Sequence, residues 1–355
     1  MTLRRRTLLA GLAGVTGSVG IAGGLVAAGA GPAVALDRRR VLHVRPGDSV
    51  QAAVDAVEGG GWTIVVHPGT YREVVNVPVG LGELTLRGAT RDPRDVVIVY
   101  DNANGTQKPD GSGTYGTAGS ATFTSAAPGL TVRDLTLAND WLRADHPEIT
   151  GTQAVAAYVT GDRSRFSNVR LLAHQDTLFV DTTTLEAFNR QYFSRCYIEG
   201  DVDFVFGRAT AVFADCHFHT LQRDVAFTPK GMVFAPSTAR ANPYGILAVR
   251  SRITSGAEDA AYKLARPWVP SYETTAWPSL VVRDTRIGPG IDPVAPYTNM
   301  RDVYPWQSMR FHEYRNRGPG SVITVPENRP QLTPAEADLH TPAAYLGDWR
   351  PVRPL

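Results

Sequence analysis

The chain has 355 residues, 43% of them hydrophobic, with 36 Lys and Arg against 34 Asp and Glu and only two cysteines. The formal charge of +2 lacks the basic surplus of a nucleic-acid binder. Residues 1–35 hold three Arg and no acid, so without them the tally is 33 against 34 and the net charge is −1.

Those first residues read as a targeting segment. Arg4, Arg5 and Arg6 precede Leu8 and Leu9, a Gly- and Ala-rich apolar stretch follows, and Ala33-Val-Ala35 is a small-residue cleavage site. The arginine pair with weak hydrophobicity behind it predicts a twin-arginine export signal spanning 1–35, and a secreted product with no membrane partner once it is removed. Residues 36–355 are expected to form one elongated domain.

Along that domain, residues 49–57 place Val50, Ala53, Val54 and Val57 at helical spacing behind Ser49, an N-cap candidate, and predict a helix that plugs the first coil. Strands are expected at 62–66 and 84–87, separated by the Pro68-Gly69 turn, with Thr70 to Glu73 as a hydrogen-bonded turn. Residues 101–128 and 139–152 carry no sustained alternation and read as loops able to wall a cleft. His217 and His219 share a strand face, which suits structural pairing better than half a metal site. Near the end, Thr333, Pro334 and Glu336 form a capping box that opens a helix.

A repeat dominates the middle of the chain. Phe166-Ser-Asn-Val-Arg-Leu171, Phe193-Ser-Arg-Cys-Tyr-Ile198 and Phe213-Ala-Asp-Cys-His-Phe218 share one pattern, with weaker copies from Val132, Val249 and Val282. Short β-rich units without intervening helical patterns predict stacked coils of a parallel solenoid. Asp176 and Asp203 each lie ten residues after their Phe, at 166 and 193, so the two acids fall at the same place on successive coils. Strands about 4.8 Å apart bring such carboxyls too close for both to ionise easily, which yields an acid beside a base or nucleophile. Cys196 and Cys216 share a register by the same count, and their separation suits a disulfide. Two well-placed cysteines also fit an oxidising compartment. Asp201 has no partner in register and is expected to cap a turn.

The run Gln153-Ala-Val-Ala, Gln175-Asp-Thr-Leu178, Gly200-Asp-Val-Asp-Phe-Val-Phe-Gly207 and Ala265-Arg-Pro-Trp268, with Gly69-Thr-Tyr-Arg-Glu73 upstream, resembles the ordered motifs of the bacterial pectin methylesterases (pectinesterases). The resemblance covers 41–349 and implies an all-β fold, a single-stranded right-handed parallel β-helix with short capping and flanking helices. It also implies removal of methyl esters from homogalacturonan (pectin), giving pectate and methanol without cofactor or metal. In that reading Asp203 is the nucleophile, Asp176 the proton donor and later base, Gln153 and Gln175 the oxyanion donors, and Arg266 the residue orienting Asp203. Phe206 and Trp268 would lie against sugar rings, and the enzyme would act as a monomer. Strict alternation puts Phe206 opposite Asp203 unless the chain turns a corner between them. Ala265 replaces a Gly usual in the family, and Arg208 an Asn common in plant relatives; Arg208 is expected to add positive charge near the cleft. The rival readings are an esterase of this type acting on a non-pectin ester, a β-helix lyase or polygalacturonase, and a non-catalytic carbohydrate-binding β-helix.

Overall fold

The computed structural model describes residues 40–351, and the export-signal expectation at 1–35 lies outside them. Every strand pair within the two sheets is parallel. One 16-stranded sheet supplies two faces of each coil and a 7-stranded sheet supplies the third. This is the expected right-handed parallel β-helix.

Each coil places one large apolar residue where its neighbours place theirs. Phe166 pairs with Phe193 and Phe193 with Phe213, and their rings stack at centroid distances of 4.8 and 4.6 Å inside the core. The weaker copies fall at Val132, Ala248 and Val282. Ala248, not Val249, is thus the true register residue; a small residue there hid the repeat, and the neighbouring Val249 faces outward under a flanking helix.

The first coil is plugged by the helix Val50–Asp55, whose Val50 and Val54 join the core. Ser49 caps it by accepting from the Ala52 amide, and Glu73 accepts from Ser49 Oγ and from the Val50 and Gln51 amides, a structural role as expected. The expected turn at Thr70 to Glu73 is instead a strand, Gly69–Arg72, which pairs in parallel with Val96–Tyr100. At the other end the Thr333 and Glu336 capping box opens the helix Pro334–Leu339, which packs with Tyr345 and Leu346 on the outer face near Val212 and Val249. A fully buried Arg329–Glu313 ion pair at 2.7 Å, joined by Tyr297 and Asn316, closes that end. The stretch 101–128 is not only loop: it contains the helical turn Gly116–Gly119 and the strand Phe123–Ser125.

Cys196 and Cys216 do lie in register, since the residues that follow them, Tyr197 and His217, pair directly. The expected disulfide is not formed here: both are buried free thiols, with Cys196 Sγ directed at the Ser194 carbonyl and Cys216 Sγ at the carbonyls of Phe193 and Ala214. His217 and His219 share one face as expected, and both contact the Thr254 hydroxyl, at 2.7 and 2.8 Å.

Candidate active site

The site is built where the chain leaves the large sheet and enters the small one. In two successive coils a turn ends on an Asp, two residues before a short strand, and those strands pair Leu178 with Val205 and Phe179 with Phe206. Asp176 and Asp203 therefore occupy one register, and the Asp176 amide donates to the Val202 carbonyl at 2.9 Å. Both adopt left-handed backbone, φ 65° and 49°, a conformation Asp tolerates better than most residues. The coils approach so closely that Gly207 cannot be replaced: a Cβ there would sit 1.9 Å from the Val180 carbonyl oxygen.

This turn removes the difficulty over Phe206. Asp203 precedes the strand Val205–Gly207 and is not on it, so the chain bends between the two and both side chains reach one cleft. Phe204 and Val205 go inward to the core while Phe206 goes outward.

Asp176 and Asp203 are 8% and 5% exposed, yet their partners differ. Arg266 clamps Asp203 through Nε at 2.9 and 3.1 Å and Nη2 at 2.5 Å; among the described residues no cation pairs with Asp176. Burial, then the Asp203 charge, push the Asp176 carboxyl well above its ordinary value. Burial also pushes Asp203 up, but the Arg266 guanidinium opposes it. Asp203 is consequently the first of the pair to ionise and Asp176 the one that keeps a proton. Arg266 leaves the strand Tyr262–Ala265 with ordinary backbone at Ala265, so the substitution for Gly costs nothing there.

Gln153 and Gln175 line the same cleft. Asn104 Nδ2 donates to Gln153 Oε1 at 2.9 Å and the Thr152 hydroxyl to Gln175 Oε1 at 2.6 Å, which fixes each amide with its oxygen engaged and its NH₂ available. The two stretches read as loops supply these partners, and Thr117 from the first lines the cleft wall. The cleft encloses about 430 Å³, and its apolar side includes Phe206, Trp268 and Met300.

Two site features escaped the sequence. Phe179 stacks on Phe206 at 4.2 Å and on Tyr158 at 4.6 Å, making an aromatic ladder beside the acids. Its signal was present, because Phe179 lies thirteen residues after Phe166 as Phe206 lies thirteen after Phe193. Asp201 does not cap a turn. It is fully buried and held by Arg143 through two bonds of 2.6 and 2.7 Å, with His174 at 3.3 Å. Burial alone would raise its carboxyl, but Arg143 and His174 prevail and hold it well below the usual range. Arg208 likewise adds no free charge to the cleft: Asp181 neutralises it at 2.7 Å, and it donates to the Tyr272 hydroxyl.

The chain matches the Pectinesterase family over residues 46–348. The chain belongs to the pectinesterase family. Pectinesterase A of Dickeya dadantii is 35% identical over 326 residues, 82% of this chain and 84% of that protein. A pectinesterase of Ralstonia solanacearum is 34% identical over 305 residues, 77% of this chain and 76% of its own. The solved pectin methylesterase of Erwinia chrysanthemi is 31% identical with TM-score 0.76, over 88% of this chain and 98% of that one. A pectin methylesterase solved with a bound hexasaccharide gives TM-score 0.75 at 31% identity, over 86% of this chain and 94% of that one. This pectinesterase thus carries the family's fold over nearly all its described length.

Proposed function

We propose that this pectinesterase hydrolyses methyl esters of homogalacturonan, leaving pectate and methanol, through a covalent intermediate on Asp203. The observation that carries the reading is the pair of buried carboxyls in one register, of which only Asp203 is clamped by an arginine.

Asp203, ionised, attacks the ester carbonyl. The amide NH₂ groups of Gln153 and Gln175 donate to the oxyanion that forms, an interaction typically worth about 2.7–4 kcal/mol per donor. Asp176 gives its proton to the departing methoxide, so methanol leaves and an anhydride joins Asp203 to the uronate. Asp176, now a carboxylate, takes a proton from water; the hydroxide attacks the anhydride at the uronate carbonyl and Asp203 departs as a carboxylate. The product acid loses its proton to solvent, and both acids regain their starting states. Phe206 and Trp268 hold the sugar ring against the acids.

The 1–35 segment exports the chain by the twin-arginine route, Cys196 and Cys216 then lose two electrons and two protons to a thiol oxidant of the oxidising compartment and form a disulfide, and the enzyme acts as a monomer. Assay of the purified protein on methylated homogalacturonan tests the activity. Methanol release without unsaturated uronates or new reducing ends supports it. Either of those products would point instead to lyase or glycosidase chemistry, and no methanol would point to a different ester.

A further inference from the structure

On the outer surface, at the corner where each coil bends within the large sheet, two ladders run side by side along the solenoid. The first occupies the left-handed corner position of each coil: Asp134, Asn168, Arg195, Asp215, Arg250 and Asp284, followed by Arg315, all with φ between 49° and 59°. From Arg195 onward its charges alternate. Arg250 pairs with Asp215 at 3.0 Å, Arg315 approaches Asp284 at 3.9 Å, and Asn168 donates to Asp134 at 2.8 Å.

The second ladder begins two residues later in each coil, and pairs Arg170, Tyr197, His217, Arg252, Arg286 and Arg317 in continuous register. It contains no acid. Three arginines stand consecutively on strands about 4.8 Å apart, an arrangement in which like charges directly opposite destabilise the sheet. Among the described residues neither Arg286 nor Arg317 has a side-chain ion pair, and Arg252 finds only His217, at 3.0 Å. Together with Arg195 and Arg250 they line a groove of about 470 Å³ in which Asp215 is the one acid. Five arginines against one Asp give +4, in a chain whose net charge is −1 without residues 1–35. The adjacent ladder shows that this fold accommodates alternating charge at such positions; here it concentrates one sign.

We propose that this arginine ladder is a second, non-catalytic binding surface for a linear polyuronate lying along the solenoid axis. A linear ladder matches a linear polyanion, with a carboxylate on every sugar, better than a compact anion. Tyr197 and His217 extend the row with rings able to pack against sugar faces, and Arg170 already stacks over Tyr197 at 5.4 Å. The surface is separate from the acids: in one coil the strand Tyr197–Gly200 starts at the ladder and ends just before the turn that holds Asp203. The choice of a polyuronate rests on the esterase reading above, because de-esterified pectin is what that reaction makes. Retaining product on this face would keep the enzyme on the polymer while the cleft engages the next methylated stretch.

The test uses the whole protein and a variant carrying Arg252→Ser, Arg286→Ser and Arg317→Ser, with a second variant carrying Lys at all three positions. Binding of long, fully de-esterified polygalacturonate is measured by titration at low and high salt, beside methanol release from a short methylated oligomer. Expected is a loss of about tenfold or more in polymer affinity for the Ser variant, recovery in the Lys variant, and weaker binding at high salt. Activity on the short oligomer should stay unchanged in both. Wild-type polymer affinity in the Ser variant would overturn the proposal, as would equal binding of a DNA duplex of matched length by the wild-type protein, which would mark a nonspecific basic patch. Polymer binding that depends on the ladder in a protein releasing no methanol would sustain this surface while refuting the esterase reading.

Discussion

Asp176 and Asp203 share residue type, register and burial, and differ in one neighbour, Arg266. In the proposed mechanism that neighbour assigns the roles. Replacing it, Arg266→Leu, removes the cation that opposes burial, so the Asp203 pKa should rise further and the acidic limb of the kcat/KM profile should move to higher pH. An unmoved limb with near wild-type rate would remove Arg266 from the mechanism. A second consequence concerns stability. Because Asp176 is raised in the folded state, the native protein binds more protons than the unfolded chain between the unfolded pKa of about 3.9 and the raised native value. Stability therefore falls as pH rises through that window. Asp176→Asn should melt higher than wild type at neutral pH, on the order of 2–4 °C for each kcal/mol relieved. The gap should close near pH 4, and thermal scans at both pH values check it.

At the scale of elements, the coil repeat carries the stability that the site spends. Phe193 is fully buried between Phe166 and Phe213, so Phe193→Ala should cost about 3–5 kcal/mol in urea unfolding. A loss below about 1 kcal/mol would mean the coils collapse readily onto the gap. The offset of ten residues from such a Phe was enough to place both acids from sequence, because parallel coils transmit register directly. One copy of the repeat is hidden at Ala248, which lacks the bulk that marks the position, so that Val249 beside it carries the apparent signal. The same arithmetic left Asp201 without a partner. Arg143 arrives from a loop 58 residues earlier, and no local spacing encodes that contact. The corner that lets Asp203 and Phe206 share the cleft was legible only as a requirement, since Val202, Phe204, Val205 and Phe206 favour strand and nothing local marks where the chain bends among them.

For the whole molecule, a solenoid joins each coil only to its neighbours, so the fold could be read from a few repeats. The ends are where other devices appear: the Ser49-capped helix at one and the buried Arg329–Glu313 pair at the other. The first was legible as a capping pattern with helical spacing. The second was not, because the arginine and the acid meet only through the last turns of chain. The cleft likewise depends on Arg266 and Asp203, 63 residues apart, meeting across coils that no local pattern specifies. What unites these parts in function is the claim that Asp203 attacks the ester. Methanol release by Asp203→Ala, measured beside Asp176→Ala and the double variant, tests it most directly. If Asp203 attacks, the proteins stay folded, each single variant falls by at least about 10²-fold and the double is hardly worse than the weaker single, as groups acting in one unit behave. Asp203→Ala retaining more than about a tenth of wild-type release, far above what loss of a nucleophile leaves, would contradict it.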